Sequence, residues 1–133
     1  VLDPSNPTEI IGILDWEMAT LGDPLMDLGS SLGYWVEKDD PEMMQAIRQM
    51  PTHLEGMLTR KEQFALYSEL RGIKTDNFDF YYCFGLFRLA VIAQQIYYRF
   101  YHGQTKDERF GMLIAAIRVL EATALQVIEK SDL

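Results

Sequence analysis

The sequence predicts a mainly α-helical fold with one short β-hairpin at its N-terminus. Three observations predict it. Residues 78–101 are apolar almost all round for longer than any strand runs. Two Thr-x-x-Glu capping boxes, Thr59 to Glu62 and Thr105 to Glu108, mark helix starts. Strand-like and turn-like sequence is confined to the beginning of the chain, before Pro24.

In order, Val1 and Leu2 read as the end of a strand, and Asp3, Pro4, Ser5, Asn6 and Pro7 as a dense cluster of turn formers. Ile10 to Leu14 is a short apolar run, read as a buried strand that returns along the first. Thr20 to Pro24 is a loop. Pro24 suits the first turn of a helix, where its missing N–H costs nothing. That helix is predicted through Leu25, Leu28, Ser31 and Leu32 to about Trp35. Asp39, Asp40 and Pro41 open a weaker helix carrying Met43, Met44 and Ile47. The Thr59 box opens a helix to Leu70 or Arg71, with Gly72 in the left-handed position beyond its end. Asp76 or Asn77 caps the helix Phe78 to Tyr101, predicted to be the most buried of the set. The Thr105 box opens a last helix to about Lys130.

The 133 residues fit a single domain or part of a larger one, and 48% hydrophobic against 24% charged is an ordinary globular balance. A net charge of −8 argues against general affinity for nucleic acid or an anionic membrane, both of which need clustered Lys and Arg. It would suit a cationic substrate, although solubility explains it as well. Arg88, Gln94, Gln95 and Arg99 interrupt residues 78–101 before a membrane-spanning length is reached. The expected partners therefore include neither nucleic acid nor membrane, and with no N-terminal signal segment the expected location is cytoplasmic. Cys83 is the single cysteine, so no internal disulfide forms. His53 has no neighbour at metal-ligand spacing and reads as a surface or turn histidine.

The chemistry is concentrated between Ile10 and Asp27. An apolar run delivers one carboxylate, Asp15, at its end; the turn Leu21-Gly22-Asp23-Pro24 follows; then Asp27 stands in the first turn of a helix. Mg²⁺ prefers hard oxygen ligands and is usually held by one or two carboxylates together with phosphates and water. Asp15 suits that task. Taken without its surroundings, it equally suits a strand-terminal Asp that caps a turn.

Ile13-Leu14-Asp15-Trp16, followed by Leu21-Gly22-Asp23-Pro24 and Asp27-Leu28, resembles the metal-binding segment of the aminoglycoside phosphotransferase and choline kinase-like family. Residues 80–90 (Phe-Tyr-Tyr-Cys-Phe-Gly-Leu-Phe-Arg-Leu-Ala) resemble the long C-terminal helix of the branch associated with acyl-CoA dehydrogenases. The resemblance implies a helical C-lobe fragment of a protein-kinase-like fold, mainly α here and α+β in the full parent. It implies that residues 1–133 form a single domain, the C-terminal portion of that lobe. The implied function is transfer of the γ-phosphate of ATP to a small-molecule hydroxyl acceptor, with Mg²⁺ and ATP as cofactors. Asp15 takes the place of the metal ligand and thereby of the nucleotide contact. Trp16 takes an aromatic packing position. Glu17 either supports the metal site from behind or faces solvent, and Asp27 takes the place of the aspartate that braces the catalytic loop.

The family's catalytic loop, His-Gly-Asp followed by four residues and then Asn, does not occur in these residues, nor does the nucleotide-covering N-lobe. His102-Gly103 is followed by Gln104 and lies at the other end of the chain. The 133 residues are therefore expected to be inactive alone and to contain no catalytic base. A homo-oligomer through surface that truncation leaves exposed is compatible with this reading. The alternative is a non-catalytic helical interaction module or pseudokinase remnant, in which Asp15 is retained for structure.

Overall fold

The computed structural model describes residues 1–74 and 76–132, apart from the Met18 side chain. Among the described residues five α-helices follow an irregular N-terminal segment: α1 (Pro24–Leu32), α2 (Glu42–Ala46), α3 (Arg60–Arg71), α4 (Phe78–Tyr101) and α5 (Leu113–Lys130). Short 3-10 turns occupy Trp16–Met18 and Glu108–Met112. The mainly helical expectation is met.

Local signals set several boundaries directly. The Thr59 box closes on both sides: the Glu62 N–H donates to Thr59 Oγ1 at 3.2 Å, and the Thr59 N–H donates to Glu62 Oε2 at 2.7 Å. Gly72 ends α3 at φ 62°, a conformation that favours glycine. The Thr105 box does not form. Asp107 takes the capping role instead, accepting from the Arg109 N–H at 3.1 Å and pairing with its guanidinium. The chain is thereby drawn into a 3-10 turn, and α5 starts only at Leu113. The first helix stops at Leu32, earlier than Trp35, because the next amides bond three residues back: Tyr34 N–H to Ser31 O and Trp35 N–H to Leu32 O.

One core cluster joins Leu25 and Leu32 of α1, Phe64 of α3, Tyr82 and Leu86 of α4, and Leu120 of α5. A second joins Val36, Met44 and Val119, with Ile47 packed against both. Helix α4 is the hub, in contact with α1, α5 and the second 3-10 turn. It is not the most buried helix. Four of its 24 residues are buried, against four of the nine in α1, and Phe80, Phe87, Tyr98 and Tyr101 lie exposed on its outer face. Its apolar composition exceeds what its neighbours in this chain cover. Helix α1 meets it through glycines, with Gly29 against the Tyr81 backbone and Gly33 against Gly85. The segment Glu108–Lys130 is long and apolar enough, by length and composition, to cross a membrane; in this fold it packs along α4 and buries Val119 and Leu120.

The connection from α1 to α3 is held by polar groups far apart in sequence. The Arg60 guanidinium forks onto Asp40 at 2.6 and 2.7 Å and approaches Glu37 at 3.2 Å. It also donates to Trp35 O at 2.8 Å and lies 4.8 Å from the centre of the Tyr82 ring. The buried Thr52 hydroxyl accepts the Val36 N–H and donates to Val36 O. Burial pushes the Tyr82 hydroxyl up to about 12, with Arg60 opposing and Asp40 and Glu37 adding to the rise. An unfolded-chain tyrosine loses its proton near pH ~10. Between those values the unfolded chain gives up a proton that the folded chain keeps. The contribution is therefore intact below the unfolded value and lost as pH rises through the folded one, on the order of 2 kcal/mol. Urea unfolding at several pH values between 9 and 12 should show Tyr82→Phe losing less stability over this window than the wild type. Equal pH slopes for the two proteins would rule out the assignment.

Candidate metal-binding turn

The apolar run before Asp15 is not the buried strand that its composition predicts. Among the described residues a single antiparallel bridge joins Leu2 to Ile10, supported by Ile11 N–H to Val1 O at 3.0 Å and by the Val1 amine to Gly12 O at 2.8 Å. Beyond it the chain is extended but unpaired, and Ile13 and Leu14 are 66% and 73% exposed. The hydrophobic pattern identifies a segment that prefers burial; no second layer of described residues lies over it.

Asp15 stands at the end of this run with φ 70° and ψ 47°. Among the described residues it is the one non-glycine residue in the left-handed region. Asp tolerates that region better than most residues, yet a single such residue still costs on the order of 1 kcal/mol and is held by its surroundings. Two bonds lock the turn after it: Trp16 Nε1–H donates to Ile13 O at 2.7 Å, and the Ala19 N–H donates to Trp16 O at 2.9 Å. The Asp15 side chain is exposed, as is that of Glu17 within the 3-10 turn.

The loop then reaches α1 through Asp23. Its Oδ1 accepts the Leu25 N–H at 2.9 Å and caps the helix, while Oδ2 accepts the Tyr81 hydroxyl at 3.0 Å. Asp27 lies in the first turn of α1 with its side chain exposed, where a carboxylate is favoured by the helix dipole. A groove of about 510 Å³ separates this loop from α4, with Trp16, Thr20, Asp23, Asp27, Phe84 and Arg88 among its walls. Asp27 and Trp16 thus share one groove; Asp15, next in sequence to Trp16, is not among the residues that line it. Sequence reasoning missed the cap on Asp23, its bond to Tyr81 and the place of Arg88 on the groove. The capping role is visible in Asp23-Pro24 itself; the other two depend on residues some 60 positions away.

Among the described residues no three His, Cys, Asp or Glu side chains gather into a metal cage, so the donors at this turn could serve only an ion whose other ligands are phosphates and water. Such an ion needs only one or two carboxylates from protein, and Asp15 offers an exposed hard-oxygen donor with Glu17 two residues on. The other singled-out residues play no part in the turn. His53 lies in a turn, half-buried, and Cys83 is half-buried, its thiol pushed up by burial. His102-Gly103 links α4 to the second 3-10 turn.

Residues 1–65 match the pattern of the phosphotransferase enzyme family. The chain is also similar to three curated proteins over most of its own length. It is 38% identical over 101 residues to acyl-CoA dehydrogenase family member 10 of Mus musculus, covering 74% of this chain and 9% of that protein. It is 30% identical over 125 residues to acyl-CoA dehydrogenase family member 11 of Homo sapiens, covering 92% of this chain and 16% of that protein. It is 34% identical over 106 residues to the probable acyl-CoA dehydrogenase IBR3 of Arabidopsis thaliana, covering 74% of this chain and 13% of that protein. The chain thus spans less than a fifth of the length of these relatives. No solved structure matches it.

Proposed function

From the premise that residues 1–65 carry the pattern of the phosphotransferase enzyme family, we propose that this chain is the helical C-terminal part of an ATP-dependent phosphotransferase. Its acceptor is a hydroxyl group on a small molecule, without nucleic acid or membrane as partner. The observation that carries the reading is the exposed, left-handed Asp15 carboxylate within that matching segment. Bound Mg²⁺ supplies positive charge against the nucleotide phosphates. Asp15 fixes where that charge sits. Trp16 and the 3-10 turn hold the Asp15 backbone, and Asp23 ties the turn's far end to α1. Asp27 presents its carboxylate to whatever backbone donors lie over the groove.

Phosphoryl transfer requires metal ligands, an acceptor base and a nucleotide lobe positioned together. The 133 residues offer the first of these. Given ATP, Mg²⁺ and a panel of hydroxylated small molecules, the full-length protein is expected to form ADP in an acceptor-dependent way, and residues 1–133 alone to form none. Calorimetry should show Mg²⁺-dependent ATP binding by the full-length protein. Failure of the full-length protein to bind ATP with Mg²⁺ would sink the reading. Product in molar excess over residues 1–133, lost on Asp15→Ala, would sink the claim that this part is inactive alone.

A further inference from the structure

We propose that Tyr81 is a positioning residue for the Asp15 turn, acting through Asp23 from the rigid side of the molecule. This rests on the phosphotransferase reading given above. The N-terminal segment is weakly attached. Leu14, Trp16 and Leu21 are largely or wholly exposed, and the Trp16–Met18 turn makes no extensive contact with any helix. Among the described residues, one side-chain hydrogen bond crosses from residues 1–23 to the helical body beyond α1, and it is Tyr81 Oη–H to Asp23 Oδ2.

Both ends of that bond are fixed. Asp23 uses its other oxygen to cap α1, so its carboxylate is held by the helix it starts. The Tyr81 ring packs 5.9 Å from Phe64 and 5.2 Å from Phe80, centre to centre, and its backbone lies against Gly29 of α1. Burial, and then the Asp23 carboxylate, push the phenol above its ordinary value, and a phenol is a donor at neutral pH with or without that shift. Asp23 lies eight residues after Asp15, and the span between them contains the self-locked turn. Releasing Asp23 from α4 frees the far anchor of that span. The body of the fold does not need this bond, because the core cluster under α1 and α4 is apolar.

The test uses the full-length protein with Tyr81→Phe, which removes one hydroxyl, and Asp23→Ser, which keeps a helix cap but cannot reach Tyr81. Hydrogen exchange in the absence of metal is the first readout. Amides of residues 15–23 should exchange roughly three- to tenfold faster in both variants, the range a net hydrogen bond of ordinary strength supports, with α5 unchanged. The second readout is the Mg²⁺ dependence of activity. The Mg²⁺ concentration for half-maximal rate should rise severalfold, with near-normal turnover at saturating Mg²⁺. Unchanged exchange in residues 15–23 would overturn the inference, as would faster exchange throughout the chain, which marks a general structural role. Local loosening with an unaltered Mg²⁺ requirement would overturn it too. Asp15→Asn serves as the control. If that variant keeps the normal Mg²⁺ dependence, the metal role of Asp15 fails and the inference falls with it, whereas absence of Mg²⁺-dependent ATP binding by the wild type would sink the phosphotransferase reading itself. If the control loses activity and the two loop variants keep the normal requirement, only the inference fails.

Discussion

Gly85→Ala is expected to prevent α1 and α4 from docking, and Gly22→Ala to change almost nothing. A Cβ on Gly85 would stand 1.9 Å from the Gly29 carbonyl oxygen, 2.6 Å from its carbon and 3.2 Å from the Ser30 nitrogen. All three are backbone atoms inside a helix, so no flexible side chain can swing aside. The helices must separate, and separation loosens Leu25, Leu32, Tyr82 and Leu86 together, since all four belong to one cluster. Overpacking of an adaptable core costs about 1–3 kcal/mol, and a backbone clash of this depth should exceed that range. Against a typical total of about 5–15 kcal/mol, the variant should be unfolded or should melt well over ~10 °C lower. A Cβ on Gly22 meets nothing within 4 Å. Circular dichroism melts of the two variants make the comparison. A Gly85→Ala protein melting within a degree or two of the wild type would show that α1 and α4 do not cross as described.

That crossing was not legible in the sequence. Gly29, Gly33 and Gly85 look like weak points in helices, and only the fold reveals that they are where two backbones meet. The features that were legible are local. Helix α4 spans the apolar segment as read, and α3 is bounded by the capping box and glycine that its sequence displays. The misread features turn on competition or on distant partners. Asp107 captured the helix start that Thr105 advertises because Arg109 pairs with it. The Arg60 network joins residues 20 or more positions apart, with no periodicity to announce it. Ile10 to Leu14 reads as a buried strand because hydrophobicity records what a segment prefers to touch, and its burial depends on a layer the described residues do not supply. Within the candidate site the same division holds. The identities of Asp15, Glu17 and Asp27 came from sequence; the left-handed backbone at Asp15 and the Asp23–Tyr81 tie required coordinates.

In the full-length protein, Asp15→Asn is expected to remove most phosphoryl transfer while leaving the melting temperature unchanged. The Asp15 side chain is exposed and supports no packing, so stability has little to lose. Asn also tolerates the left-handed backbone, so the turn should keep its shape. What changes is the charge offered to the metal. If Asp15 fixes a Mg²⁺ ion against the phosphates, neutralising it should lower turnover by about 10²–10³-fold, the scale of several kcal/mol of transition-state charge stabilisation. Asp27→Ala should behave differently. Its carboxylate sits in the first turn of α1, where loss of the dipole interaction costs about 0.3–1 kcal/mol. It also faces the groove beside Trp16, so any loop braced there would loosen and activity would fall more modestly. A Mg²⁺ titration of activity beside a thermal melt separates the two roles. Asp15→Asn should show its loss in the titration alone, whereas Asp27→Ala should show a small loss in both. An Asp15→Asn protein with near-normal turnover and an ordinary Mg²⁺ requirement would remove the assignment of the metal to Asp15.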